Sequence, residues 1–386
     1  MLQMMMIEAD NIITPYREIK HGFLLVQDGR IAALGSASEK PSGNWTKTYE
    51  FADCTVVPGF VDLHHHGALG YRASDGTREA LKAISQFLPS TGVTGWLPTV
   101  SNLTGVQGIT DFAKREADHG AKPLGIHMEG PFLAPKNLPG TPYEAPGKAD
   151  IAIFDELYEA SEGLIRLVGI APELEGSLEL IAHMRRIGVV PACAHTKAGH
   201  DLWLRAVDAG LQHVTHAYNV MTGLHHRHPG IVGGVLTTDS VTAELIGDGF
   251  HVSPTAIEIL IRCKGIDNIA LITDNVRYTG LPDGEYDGIV KQDGIIRRAG
   301  FDERVDGTMS GSAWTMDHNI RYLVKELGMP LADVLRMAST VPARVVGLDS
   351  KGMIQVGKDA DLTILDGDLE VVATFVSGKQ VFSKNE

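Results

Sequence analysis

Cysteine is scarce: Cys54, Cys193 and Cys263 are the only three in a chain of 386 residues. An odd number with no C-x-x-C pair argues against a disulfide framework and a thiolate zinc site, so any metal must be held by nitrogen and oxygen. Positive charge is also in short supply. The 34 basic against 48 acidic residues leave a net charge of −14, which disfavours nonspecific attraction to nucleic acid or an anionic membrane. No apolar run approaches the roughly 18 residues that a membrane span needs. The opening MLQMMMIEADNIITP has neither a basic leader nor a cleavage site behind a long apolar core, so a cytoplasmic location is expected. Low-complexity tracts and short repeats are missing too, which makes solenoids and disordered tails poor readings. What remains is a globular chain with enough residues for a large core and a small-molecule substrate.

Strand-like runs crowd both ends. HGFLLVQDGRIAALG sets Asp28-Gly29 between two apolar stretches, a hairpin signal, and TYEFADCTVVPGF continues as strand. GMIQVGKDADLTILD and EVVATFVSGKQVF have the same character near the other end. Between about residues 56 and 275 the pattern changes to short apolar strands alternating with stretches of helical periodicity, such as REALKAISQFL, SLELIAHMRRIG and PTAIEILIRCKG. Eight strands can be counted, ending with VDLHHHG, GWLPT, HMEG, IAPE, CAHT, THAYN, GDGFH and ITDN. Eight β/α repeats predict an α/β fold closed as a (β/α)8 TIM-type barrel, in which functional residues sit at the carboxyl ends of the strands. The glycine- and aspartate-rich excursion at 277–311 reads as a lid or hairpin insertion.

Polar residues gather at those strand ends. His64 and His66 are two apart, so on an extended strand both face one way and His65 the other. Two imidazoles on one face suit a shared divalent ion, although H-x-H alone is as readily a polar cluster. Glu129, at the end of GIHMEG, is a carboxylate able to bridge two ions, and His127 two residues earlier points to the same side as a supporting group. A lone buried histidine is usually a satisfied core residue. His195 and His216, at successive strand ends in a chain that already has H-x-H and a carboxylate, are better read as ligands. Asp274 closes the last strand, where it can take a proton from a metal-activated water and deliver it to a leaving amine. A divalent ion lowers the pKa of its water toward about 7, so these parts imply metal-assisted hydrolysis. His200 and His213 receive no role.

Taken in order, PGFVDLHHHG, GVTGWLPT, HMEGPF, AHT, THAYNVM, GDGFH, LITDN and GTMSGSA resemble the N-acetylglucosamine-6-phosphate deacetylases of the amidohydrolase superfamily. The resemblance runs over nearly the whole chain, and HMEGPF with THAYNVM and GDGFH is specific to that branch. It implies a (β/α)8 barrel over residues 58–346 with a small β-sandwich domain built from both termini, 1–57 and 347–386. It also implies a site with zinc or iron, one ion or two. Glu129, His195 and His216 would hold the main ion, His64 and His66 a second with Glu129 between them, and Asp274 would serve the site as ligand and as general base and acid. Substrate contacts fall to Asn219, Val220, Arg227, His251, Thr141 and Met309, with Arg227 matching the family's phosphate-binding arginine. The implied partner is a phosphorylated amino sugar, and the implied assembly is a homodimer with no nucleic acid and no membrane.

The chain departs from the family in one segment. Relatives carry a histidine shortly after EGPF that contacts the acyl group, whereas KNLPGTPYEAPGKAD has Pro142 with Tyr143 beside it, so acyl or sugar preference is expected to differ. TDN in place of the commoner TDA, at Asn275, is a smaller deviation. Three other functions compete. Deacetylation of an epimeric sugar phosphate differs by loop contacts that sequence does not reveal. A cyclic amidase would commonly use a carboxylated lysine where Glu129 stands. A non-catalytic scaffold would have lost ligands that this chain keeps.

Overall fold

The computed structural model describes residues 4–115, 120–135, 147–299 and 309–384. The chain opens with four strands, β1 (Met4–Ile13), β2 (Glu18–Gln27), β3 (Arg30–Ser36) and β4 (Lys47–Pro58). Between β2 and β3, Asp28 and Gly29 have φ of 50° and 78° and bring Gln27 opposite Arg30. This is the two-residue turn whose twist matches the flanking strands, as the Asp-Gly pair predicts.

Eight parallel strands follow: β5 (Phe60–His65), β6 (Val93–Val100), β7 (Ile126–Glu129), β8 (Ile165–Ile170), β9 (Val190–Cys193), β10 (His213–Val214), β11 (Thr242–Ile246) and β12 (Ile269–Ile272). They are hydrogen-bonded in chain order. The ring closes where β5 meets the residues after β12. His65 bridges Asn275, the Asp274 N–H donates to His64 O at 3.0 Å, and Thr273 Oγ1 donates to the buried Asp62 carboxylate at 2.6 Å. Every residue of β5 and β6 is buried, which is why these segments read as apolar runs and not as alternating ones.

The helices between the strands form for legible reasons. Pro254–Lys264 starts with Ser253, whose hydroxyl accepts from the Ala256 N–H, and Pro254 occupies the first turn, where its missing N–H costs nothing. Ile257 and Leu260 pack fully buried into the main core, worth about 1.5–3 kcal/mol each. Gly265, at φ 69°, stops the helix.

After β12 the chain forms a small antiparallel sheet, β13 (Gly284–Tyr286), β14 (Ile289–Gln292), β15 (Ile295–Arg298) and β16 (Met309–Ser312), paired in that order. It is tied to the barrel mouth: Ser312 N–H donates to Asp274 O at 2.9 Å, and Asn275 Nδ2 donates to the carbonyls of Ser312 and Trp314. The asparagine that stood out in the TDN triplet is therefore a clamp between hairpin and barrel. Gly311 permits the approach, since a Cβ there would lie 2.5 Å from Val276 and 2.8 Å from Asp274 O.

The chain ends in β17 (Leu362–Leu365), β18 (Val371–Val376) and β19 (Lys379–Ser383), which join the first four strands in one seven-stranded sheet of order β19-β18-β17-β4-β1-β2-β3. Both β-rich termini thus build one unit, with Ile7, Ile12, Val56, Ile364 and Phe375 in its core. It seats on the barrel through Thr363 and Thr374, whose hydroxyls donate to the carbonyls of Gly92 and Pro89 at 2.7 Å each. Among the described residues, no helix is long and apolar enough to cross a membrane.

Candidate active site

The strand ends bring two groups of ligating atoms together. In the first, Glu129 Oε1 lies 2.7 Å from His195 Nε2 and 3.0 Å from His216 Nε2, and the two nitrogens are 2.9 Å apart. In the second, His64 Nε2 and His66 Nε2 are 3.1 Å apart and stand 3.5 and 3.3 Å from Asp274 Oδ1. Glu129 joins the groups, because its Oε2 is 3.3 Å from His66. Residues spread over more than half of the sequence therefore meet at one end of the barrel. His65 points elsewhere, as the alternation predicts: its ring meets Asp62 at 3.3 Å and stands edge-on to Trp96.

The backbone at this rim is unusual. His195, His216 and Asp274 have φ of 41°, 29° and 51°, and Val220 has 53°. Non-glycine residues in the left-handed region cost about 1–3 kcal/mol each and persist where surrounding structure holds them. Here the strand ends turn sharply, and the turn aims the side chains of His195, His216 and Asp274 inward. One holder is Glu173, whose carboxylate accepts from Thr196 Oγ1 at 2.5 Å and from Lys197 N–H at 2.6 Å, just after His195.

Electrostatics favour a cation. Burial pushes the Glu129 carboxyl up, but the charge of His195, hydrogen bonds from His195 and His216 and the charge of His64 hold it well below the usual carboxylate range. Asp274 is likewise held low, its burial outweighed by His64 and His66. His64 would be pushed down by burial, yet Asp274, Glu244 and Glu129 raise it to about 10. A buried centre this rich in carboxylate draws positive charge, which a metal ion supplies in place of protons. The donor set fits one: imidazole nitrogens and carboxylate oxygens, no thiolate, with lone pairs converging within 3.3 Å around Glu129. Among the described residues, three groups are able to hold a metal ion: His64, His66 and Asp274; Glu129, His195 and His216; and, fully buried beneath, His64, His127 and Glu244.

The other expected residues fall around this centre. His127 lies under it, edge-on to His64 at 4.6 Å, and burial followed by the His64 charge pushes its imidazole down to about 3. His251 is oriented by Asp248, whose Oδ2 is 2.7 Å from its Nδ1, and its ring is buried beside the Gly311 backbone. Asn219 Nδ2 donates to His216 O, and Val220 lies with His195, Thr196 and Thr222 around a depression of about 230 Å³. Arg227 is on an exposed loop, its guanidinium donating to His226 Nε2 at 2.8 Å. Met309 begins β16, whose far end lies against Asp274. Thr141, and with it Pro142 and Tyr143, lies outside the described residues.

Sequence reading missed Glu244 and His213. Glu244 Oε2 is 3.0 Å from His64 Nδ1 and 3.0 Å from the His216 backbone nitrogen, and Oε1 is 3.4 Å from His213 Nε2. Despite complete burial, which pushes it up, Glu244 is held well below the usual range by the charge of His64 and hydrogen bonds from His213 and His64. The signal was a charged residue inside the apolar strand TAELI, and it went unread.

A barrel with joined histidine–carboxylate groups at its carboxyl-end mouth has the build of a metal-dependent hydrolase. The amidohydrolase family model matches residues 55–381, and the chain belongs to that family. It is 33% identical to the N-acetylglucosamine-6-phosphate deacetylase of Bacillus subtilis (strain 168) over 398 aligned positions, covering 100% of this chain and 99% of that one. It is 34% identical to the N-acetylgalactosamine-6-phosphate deacetylase of Escherichia coli O157:H7, over 84% of this chain and 87% of the relative. Among solved structures, a point mutant of the N-acetyl-D-glucosamine-6-phosphate deacetylase from Mycobacterium smegmatis, in complex with N-acetyl-D-glucosamine-6-phosphate, superposes with a TM-score of 0.87 at 31% identity. That match covers 99% of this chain and 100% of the other.

Proposed function

We propose that the protein hydrolyses the acetamide of N-acetyl-D-glucosamine 6-phosphate to D-glucosamine 6-phosphate and acetate. The observation that carries this reading is the meeting of Glu129, His195, His216, His64, His66 and Asp274 at one mouth, with Glu129 between the two groups. Glu129, His195 and His216 would hold one divalent ion, zinc or iron, and His64 and His66 with Asp274 a second. Such an ion supplies acidified water and a polarised carbonyl. The protein's own part is proton management: Asp274 accepts the proton of the attacking water. As the C–N bond breaks, Asp274 returns that proton to the departing nitrogen, leaving a free amine and acetic acid, which ionises to acetate at neutral pH.

The substrate's phosphate is assigned to Arg227, whose planar fork suits a phosphate. Further sugar contacts are assigned to His251, Asn219, Val220, Thr141 and Met309. A homodimer in the cytoplasm, with no nucleic-acid or membrane partner, goes with this reading. A second reading, the N-acetylgalactosamine epimer, is favoured by the 34% identity to the Escherichia coli relative.

An acetate-release screen over N-acetylated hexosamine 6-phosphates and their unphosphorylated parents tests both. Preference for the glucosamine 6-phosphate supports the first reading and preference for the galactosamine form the second. No release from any phosphorylated N-acetyl sugar by metal-loaded protein refutes both.

A further inference from the structure

Glu244 has no place in the chemistry above, yet it sits where the two ligand groups can be held together. It is fully buried on β11, between Ala243 and Leu245, which face the main apolar core. A carboxylate is strongly disfavoured in such a strand unless partners offset its burial, and among the described residues its Oε1 has only His213 Nε2 nearby, at 3.4 Å. One oxygen, Oε2, serves two partners, His64 Nδ1 at 3.0 Å and the His216 backbone N–H at 3.0 Å. His64 belongs to the group with His66 and Asp274, and His216 to the group with Glu129 and His195. An ionised carboxylate only accepts, so His64 must carry a proton on Nδ1. Its Nε2, 3.1 Å from His66 Nε2, is then the atom left for a cation. The second bond pins the amide of a residue whose φ of 29° needs holding.

We propose that Glu244 is a positioning residue for cation binding, fixing the tautomer of His64 and the backbone of His216 through one oxygen and so coupling the two halves of the cluster. This rests on the reading that the cluster holds divalent cations. Partners of metal-ligating histidines typically account for 10–100-fold in affinity.

The test measures Zn²⁺ and Co²⁺ binding to metal-stripped, full-length protein by competition with a chromophoric chelator, alongside the melting midpoint of the stripped protein. Glu244→Gln, close in size, is expected to weaken cation binding by about 10–100-fold while the stripped protein melts with the wild type. In a His64→Asn background the same change should add much less, because the ring it orients is gone. Wild-type affinity in Glu244→Gln, or fully additive losses in the double variant, overturns the proposal. If the Gln variant does not fold, Glu244→Asp keeps the charge but draws it back by one methylene, and unchanged affinity there overturns it as well. Wild-type protein that binds neither ion refutes the underlying metal reading along with it.

Discussion

The barrel mouth and the terminal sheet solve opposite problems. In the sheet, positive φ falls mainly in turns, at Asp28-Gly29 and Ser377-Gly378, with His21 and Asp53 inside strands as exceptions, and the core is apolar, with Ile7, Leu24, Val56 and Phe375 among its residues. At the mouth, positive φ falls on His195, His216 and Asp274, residues with no local reason to adopt it. Carboxylates and imidazoles are buried there in contact. The sheet largely follows its local preferences and the mouth overrides them. Overriding is affordable only because the surrounding strands and the Glu173 and Glu244 carboxylates hold the geometry.

Substitutions should separate these two behaviours. The largest effect is expected from Asp274→Asn, which keeps the shape and removes the proton acceptor. Turnover should fall by about 10²–10⁴-fold, with melting and the cation at Glu129, His195 and His216 retained; ordinary turnover in steady-state assays would remove Asp274 from the mechanism. Phe375→Ala opens the core of the terminal sheet and should cost about 3–5 kcal/mol in denaturant unfolding. Since the sheet touches no ligand, kcat/KM of the folded fraction should hold, and a matching loss of activity would break the distinction between the regions.

Arg227→Ala should raise KM for the phosphorylated sugar by about 10–100-fold, the worth of a hydrogen bond to a charged group, and leave the unphosphorylated parent unchanged. An equal rise for both sugars would assign Arg227 elsewhere.

The smallest effect concerns pH and the seat of the terminal sheet. Lys351 lies 3.0 Å from Asp359 and also pairs with Asp361. Burial pushes the lysine down, but the two carboxylates raise it above its ordinary 10.5. Burial likewise pushes Asp359 up, and Lys351 brings it below its ordinary 3.8. The lysine's contribution is complete below pH 10.5 and is lost as pH rises through the raised value. The aspartate's is complete above 3.8 and is lost as pH falls through the lowered one. Lys351→Met should therefore flatten both shoulders of melting temperature against pH, and a profile of unchanged shape would show that the pair contributes nothing.

Much of this was legible in one dimension. The eight strands were found because buried parallel strands are continuous apolar runs, and the helix Pro254–Lys264 because its apolar residues recur at helical spacing. His64 and His66 could be placed on one face by counting alone. Glu244 was not found, because a charge inside the apolar strand TAELI marks an unusual residue without naming its partner. Its meaning lies in His64, 180 positions away. The clamp made by Asn275 was noticed only as an odd letter, since its partners Ser312 and Trp314 arrive through a hairpin whose path local pattern does not specify.

The order of residues, then, determined which segments become strands and helices and which side chains stand at strand ends, since those follow from short-range backbone geometry and apolar spacing. Tertiary structure alone decided that those ends share a single mouth, that Glu129 stands between two histidine pairs, and that Glu244 reaches both. Such distances exist only once β5 and β12 close the ring, and closure depends on every intervening strand being in register.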